Sequence, residues 1–202
     1  MRYSIITPTL ARESLVRTCE SIDTQTDGDW EHLIAVDVPL IVRPDARALI
    51  DSLPKDSRRK IFRCGQAHRN FGNACRAAMW EKAQGDYVYF LDDDNILADS
   101  DVLSRLRVVT GEWALVPIWR AGVKFFQDPP AFARVDTANL VIRTQHARWP
   151  NIPNDRPLET GMNPAYPADW KLAERLLQQK IPYQAFPEMR PVAVMEKANW
   201  GK

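Results

Sequence analysis

The chain has 202 residues, 45% of them hydrophobic and 26% charged, which fits an ordinary globular protein of one domain with room for a sizeable core. Its 27 Lys and Arg against 26 Asp and Glu leave a formal net charge of +1, which excludes recruitment of nucleic acid or anionic membrane by a global field. Three cysteines are too few for a disulfide framework, no apolar run approaches the about 18 residues of a membrane span, and the N-terminus lacks a signal-peptide layout, so a soluble protein in the reducing cytoplasm is expected.

Short apolar runs alternate with amphipathic ones through the first half, the pattern of a parallel sheet flanked by helices. YSIITPT (3–9) reads as a strand that stops at Pro8. Leu15, Val16, Cys19 and Ile22 then fall at helical spacing, and WEHLIAVD (30–37) is a second strand. A helix is expected over 45–52, with KIFRC (60–64) as a short strand after it; SRRK (57–60) reads as solvated loop. The Ala-rich stretch 70–84 predicts a helix, and Gly85 supplies a left-handed residue to end it before DYVYFLD (86–92). That strand is apolar on both parities, so it should be central and covered on both faces. Asp99 or Ser100 is expected to cap a helix whose Val102, Leu103, Leu106 and Val109 form one face. EWALVPIW (112–119) is a further strand. Beyond about residue 120 prolines become frequent, with strands expected in ARVDTANLVIR (133–143) and RPVAVME (190–196) and a helix marked by Trp170, Ala173, Leu176 and Leu177. The shift suggests two functional halves, 1–110 and 111–202, of one compact domain.

Polar residues gather at three strand ends: Thr7, Pro8 and Thr9, then Asp37, then Asp92 to Asn95. In a doubly wound sheet such ends share one crevice where ligands bind. Three adjacent carboxylates repel each other, so either water screens them in a turn or a cation meets them. An extended chain would send Asp92 and Asp94 to one face and Asp93 to the other. Mg²⁺ or Mn²⁺ suits such a pair, because these hard ions are held by one or two carboxylates with phosphates and waters completing the shell. A plain Asp/Asn turn remains the alternative. Cys64, His68 and Cys75 fit no common zinc spacing, and the EF-hand pattern is absent.

The segment HRNFGNACRAAMWEKAQGDYVYFLDDDN (68–95) resembles the central block of family 2 glycosyltransferases with the GT-A fold: Arg-Asn-x-Gly opening a helix, a Gly-Asp turn, then a strand ending in Asp-x-Asp. The opening segment, with Thr-Pro-Thr ending its strand and Asp37 ending the next, is similar to that family's start. The resemblance spans roughly the first hundred residues. It implies a GT-A-like α/β fold with a mostly parallel sheet flanked by helices and a small C-terminal acceptor-side region. It also implies a metal-dependent, inverting, hexosyltransferase-like enzyme that moves a sugar from a nucleotide sugar, with UDP the expected nucleotide, to a hydroxyl acceptor.

Carried over by position, the resemblance puts Pro8 and Thr9 at the floor of the nucleotide pocket and Asp37 at the base or ribose. Arg69 and Asn70 would lie beside the diphosphate, Asp92 at the ribose or donor sugar and the metal, and Asp94 on the Mn²⁺ or Mg²⁺. Asp93 is grouped with the donor-site residues without an assigned contact. Asp37 closing a strand, Arg69 as an exposed cation and Gly72 serving helix packing are the plain readings of the same residues. The second-strand Asp is followed by VPLIVRP, where the family usually has another acid and a Gly-Ser-type turn, which alters the base pocket.

Inversion needs a base on the side opposite the leaving group, from another chain segment. Asp169 in YPADW resembles the base at the start of a late helix in inverting members, although Ala168 stands where the family has an acid. A carboxylate in a helix's first turn also meets the macrodipole, so capping is its plain reading. Asp136, Asp155, Glu159 and His146 are the fallbacks. QHARW (145–149) fits the Gln-x-x-Arg-Trp motif of processive synthases, but it precedes Asp169 and so reads as coincidence. Trp149 would then stack on an acceptor sugar or join the core. The competing expectations are a non-catalytic nucleotide-sugar or carbohydrate binding module and, with no glycine in TPTLARES, less readily a sugar nucleotidyltransferase. An oligomer or partner completing the acceptor site is expected from the chain's short length.

Overall fold

The computed structural model describes residues 1–39, 43–63, 72–132, 134–146 and 165–194. The elements run β1 (Tyr3–Thr9), α1 (Ser14–Asp23), β2 (Trp30–Val36), α2 (Pro44–Ser52), β3 (Arg59–Arg63), α3 (Asn73–Trp80), β4 (Tyr87–Phe90), β5 (Asn95–Leu97) and α4 (Val102–Leu106). They continue with β6 (Trp113–Leu115), β7 (Ile118–Arg120), β8 (Val123–Phe125), β9 (Leu140–Arg143), α5 (Ala165–Gln178), β10 (Tyr183–Ala185) and β11 (Val192–Val194).

The main sheet has the order β10-β6-β9-β4-β1-β2-β3, parallel except for β9, which runs antiparallel to both β4 and β6. β4 is therefore the middle strand, and all four of its residues are buried, as its two-sided apolar composition requires. Ile5, Tyr89, Leu103 and Leu106 pack on one side of the sheet; Ile6, Val88, Phe90, Trp80, Leu172 and Leu176 pack on the other. A second sheet, β5-β11-β7-β8, lies against the first of these layers through Leu97, Ile118 and Val192. Each sheet draws strands from both halves of the chain, which ties the halves together.

Several expectations change on contact with the fold. β1 runs through Pro8 to Thr9. Thr9 O accepts from Asp37 N at 2.8 Å and Ile6 O from Leu91 N at 3.0 Å, so alternate residues serve alternate neighbours. The donor that proline lacks thus falls on the β4 side, where that chain has already turned away. EWALVPIW is two strands in two sheets, because Pro117 interrupts the ladder. The helix expected over 70–84 is described from Asn73 and ends at Trp80. The α4 cap is Asp101, whose carbonyl accepts from Arg105 N at 2.9 Å, and neither Asp99 nor Ser100. The strand expected from 133 begins only at Leu140, after a 3-10 turn at Thr137–Asn139. The β7–β8 hairpin turns on Ala121 and Gly122, both left-handed (φ 48° and 77°), the two-residue geometry that follows the strand twist.

Gly85 is not left-handed; among the described glycines only Gly72 and Gly122 have positive φ. Its small size serves a close approach: a Cβ there would lie 2.7 Å from Arg2 O and Ser4 N. Gly85 N donates to Ser4 Oγ at 2.8 Å, and Ser4 Oγ donates to buried Glu31 at 2.7 Å. Gly85→Ala is expected to cost about 2–3 kcal/mol by overpacking, a fall of roughly 4–12 °C in Tm, measurable by thermal denaturation.

Candidate active site

The crevice forms where β1, β2 and β4 end, and each ending follows from the strand before it. Leu91 is the last residue to pair with β1. Asn95 N then donates to Asp92 O at 3.0 Å, closing a turn over Asp92–Asn95. The aspartates therefore sit in a tight turn, which corrects the extended geometry expected for them. The same bond that pairs Asp37 N with Thr9 O holds the second strand's acid, itself buried, beside the end of the first.

The turn sends neighbouring carboxylates to different partners. Asp92 is ion-paired with the buried Arg76 of α3. Asp93 turns the other way: Oδ2 accepts from the Thr9 hydroxyl at 2.6 Å and Oδ1 from Arg12 Nη1 at 3.2 Å. Asp94 is more open, with its side chain 27% exposed and 4.0 Å from the same Arg12 nitrogen. Burial pushes the Asp93 carboxyl up to about 6, against the pull of Arg12 and Thr9. Burial and then Asp92 raise Asp94 from its ordinary value.

α3 reaches this point because Gly72, left-handed at φ 76°, lets the helix start flat against Pro8, where a Cβ would meet the proline ring atoms at 2.6 and 2.9 Å. Packing is thus a sufficient reason for Gly72. One turn further on, Arg76 N donates to Gly72 O at 2.9 Å and the side chain arrives at Asp92. Arg69 and Asn70 lie outside the described residues, as do Cys64, His68, Arg148, Trp149, Asp155 and Glu159.

Two more carboxylates come from the second half. Asp136 caps the 3-10 turn before β9, accepting from Ala138 N at 3.0 Å and from Arg120 Nη2 at 2.5 Å, while its own N–H donates to Asn139. Because β9 is antiparallel to β4, its start lies at the same end of the sheet as Asp92. Asp169 stands on the second turn of α5, which begins at Ala165, so it caps nothing; this corrects the first-turn placement. No hydrogen bond to its carboxylate is made among the described residues. Burial, then Asp136, with Asp92 adding, raises the Asp169 carboxyl well above its ordinary value, against Arg76 and Arg120. Burial and Asp92 likewise raise Asp136. Ala168, at the position of the family's acid, is fully buried.

His146 is not in this group. Arg143 at the end of β9 pairs with Tyr87 at the start of β4, and His146 and Gln145 both bond Glu112 at 2.8 Å there, at the opposite end of the sheet. The Gln of the QHARW stretch is thus a structural partner of Glu112. A second buried polar group lies under β1: Arg59 donates to His32 Nδ1 at 3.2 Å and to Asp23 at 2.6 Å, leaving His32 Nε2 to meet Thr7 at 2.9 Å. Burial, then Arg59, keeps His32 neutral.

Among the described residues, five carboxylates (Asp92, Asp93, Asp94, Asp136 and Asp169) therefore face three guanidinium groups (Arg12, Arg76 and Arg120), two fewer positive than negative charges. That donor set, all hard oxygen, with burial raising the carboxyls of Asp93, Asp94, Asp136 and Asp169, fits a divalent cation. Among the described residues no three metal-ligating side chains close around one point, so an ion here would rest on one or two carboxylates and take further oxygens from a ligand and water. Sequence reasoning passed over Arg12, Arg76 and Arg120; only Arg76 carried a signal, sitting one helical turn after Gly72.

An α/β sheet with an acidic turn at the end of its middle strand is the architecture of GT-A glycosyltransferases. The fold is similar to Staphylococcus aureus TarS 1-349 (TM-score 0.65, 11% identity, covering 98% of this chain and 61% of that one) and to TarS 1-349 in complex with UDP-GlcNAc (0.66, 12%, 98% and 60%). It is similar also to the mannosyltransferase PcManGT from Pyrobaculum calidifontis in complex with GDP-Man and Mn²⁺ (0.62, 14%, 98% and 57%). This chain thus spans about three fifths of these structures. No curated protein matches it significantly in sequence. The sequence model of glycosyl transferase family 2 matches residues 4–157, and the chain belongs to that family. Among the described residues no helix is long and apolar enough to cross a membrane.

Proposed function

We propose that the protein is a metal-dependent inverting glycosyltransferase that moves a sugar from a nucleotide sugar, a UDP-sugar first among the candidates, to a hydroxyl acceptor. The observation that carries this is the convergence of Asp92 and Asp94 from one strand end with Asp136 and Asp169 from the other half of the chain. It is supported by family membership and by the nucleotide-sugar complexes of similar folds.

On this reading the half formed by residues 1–110 holds the donor. Pro8, Thr9 and Asp37 flank the nucleoside, with Arg69 and Asn70 by the diphosphate, and Asp94 with Asp92 holds Mn²⁺ or Mg²⁺. The ion, when bound, supplies positive charge to the leaving diphosphate. The half formed by residues 111–202 supplies the acceptor side. Asp169, held high in pKa by its surroundings, takes the proton of the acceptor hydroxyl as the new bond to the anomeric carbon forms and the bond to the diphosphate breaks. Asp136 is bound to Arg120 and to backbone, so it shapes the field at Asp169. Arg76 keeps Asp92 in place.

Incubation with Mn²⁺ and a panel of nucleotide sugars, following diphosphate release, tests turnover. UDP with Mn²⁺ at about 100 times its Kd is expected to add about 2.7 kcal/mol of stability, a rise of roughly 5–11 °C in Tm. Binding of a donor without turnover for every acceptor tried would favour the non-catalytic module, for which the buried Ala168 is the supporting observation. Absence of any metal-dependent nucleotide binding would overturn both readings.

A further inference from the structure

Resting on the reading of this crevice as a metal-diphosphate site, we infer that Thr9, Asp93 and Arg12 form a latch that positions Asp94, so that Asp93 acts through its neighbour and touches neither metal nor donor. Both oxygens of Asp93 are already used, one by the Thr9 hydroxyl (2.6 Å) and one by Arg12 Nη1 (3.2 Å), and its side chain is 6% exposed. To ligate an ion it would have to break both bonds and leave its pocket.

The loop after β1 is shaped to make these contacts. Thr9 Oγ1 accepts from Ala11 N at 2.9 Å while donating to Asp93, and Ala11 takes a left-handed φ of 57°, a conformation that L residues other than Asn and Asp rarely adopt. That bend brings Arg12 back over the turn, where a single nitrogen spans Asp93 and Asp94. The far end of the turn is tied separately: the Thr18 hydroxyl of α1 donates to Asn95 O at 2.8 Å. Asp94 is therefore the most loosely held carboxylate of a turn pinned on both sides. The same Thr9 that pins it belongs to the floor of the nucleotide pocket, so nucleoside and metal positions are joined through one residue.

The test measures Mn²⁺ affinity by electron paramagnetic resonance of free Mn²⁺, in the presence of UDP or GDP, whichever the unaltered protein binds. Affinity for that nucleotide without metal, and melting, are followed in parallel. Asp93→Asn and Arg12→Gln are expected to weaken Mn²⁺ by about 10–100-fold, the usual cost of losing a group that orients a ligand, with metal-free nucleotide affinity nearly unchanged. Arg12→Lys should largely restore Mn²⁺ affinity, because one nitrogen carries both contacts and no bidentate fork is needed. Unchanged Mn²⁺ affinity in both Asp93→Asn and Arg12→Gln overturns the latch. An equal loss of metal-free nucleotide affinity in Asp93→Asn also overturns it, by making Asp93 a direct donor contact. If Asp93→Asn fails to fold, the two substitutions at the partly exposed Arg12 decide the matter. Failure of the unaltered protein to bind Mn²⁺ with either nucleotide counts against the metal-diphosphate reading itself.

Discussion

Asp169→Asn is expected to lower turnover by about 10²–10⁴-fold, the usual contribution of a general base, while raising thermal stability at neutral pH. Both effects come from one cause. The carboxylate is half-buried beside Asp136 and Asp92, and its pKa in the folded protein stands well above the ordinary 3.8. A group whose folded pKa is raised favours the folded state when protonated, so its contribution falls as pH climbs from about 3.8 through the folded value. The penalty grows as pH climbs above about 3.8 and is complete once pH has passed the folded value, and the neutral amide removes it. The gain in Tm should therefore be larger at pH 8 than at pH 4 and shrink as pH falls toward 3.8. Initial rates with saturating donor, donor KM and melting curves from pH 4 to 8 measure all three. Loss of turnover with unchanged donor KM and a raised Tm is the signature of a base held at a cost to stability. Full activity in Asp169→Asn would put the base elsewhere, with Asp136 the remaining described carboxylate on that side.

The sheet was legible because its strands are apolar on both parities and its helices carry one stripe. Long-range pairing was less so. Nothing local told that β9 would insert antiparallel between β4 and β6, yet that insertion brings Asp136 to the site and carries Gln145 and His146 away from it. The small sheet was only half seen: RPVAVME holds β11 and EWALVPIW runs into β7, but β5 and β8 were missed. Both are three residues long, too short for a period to declare itself, and the hairpin turn uses Ala121 where sequence reasoning looks for Asn or Gly. Gly85 was read as a conformational signal when it answers a packing demand set by Arg2 and Ser4, more than eighty residues earlier. The acidic members of the site were visible as residue types at strand ends. Their cationic partners were not, since an arginine in a helix or loop reads as solvated surface until the fold shows what it faces. Arg76, buried against Asp92, is the clearest case.

Asp94→Ala should separate metal from nucleotide. Of the three adjacent carboxylates, Asp92 is paired with Arg76 and Asp93 is held by Arg12 and Thr9, which leaves Asp94 as the most loosely held and one whose charge is raised in energy by burial and by Asp92. Removing a group that only orients a metal ligand costs about 10–100-fold in metal affinity, so losing the ligand itself should cost about 100-fold or more. Calorimetry of nucleoside diphosphate binding reads this directly. In the unaltered protein Mn²⁺ should tighten binding strongly; in Asp94→Ala the titrations with and without Mn²⁺ should coincide, and the metal-free affinity should stay close to the original, because the nucleoside floor at Pro8, Thr9 and Asp37 is untouched. The sign of the stability change is a second readout. Without metal the alanine variant loses a repelled carboxylate and should melt at or above the unaltered protein; with Mn²⁺ and nucleotide present the order should reverse, since only the unaltered protein gains the binding energy. If Mn²⁺ still tightens nucleotide binding in Asp94→Ala, the ion rests on other carboxylates, and the opening of Asp94 to the crevice serves some other contact.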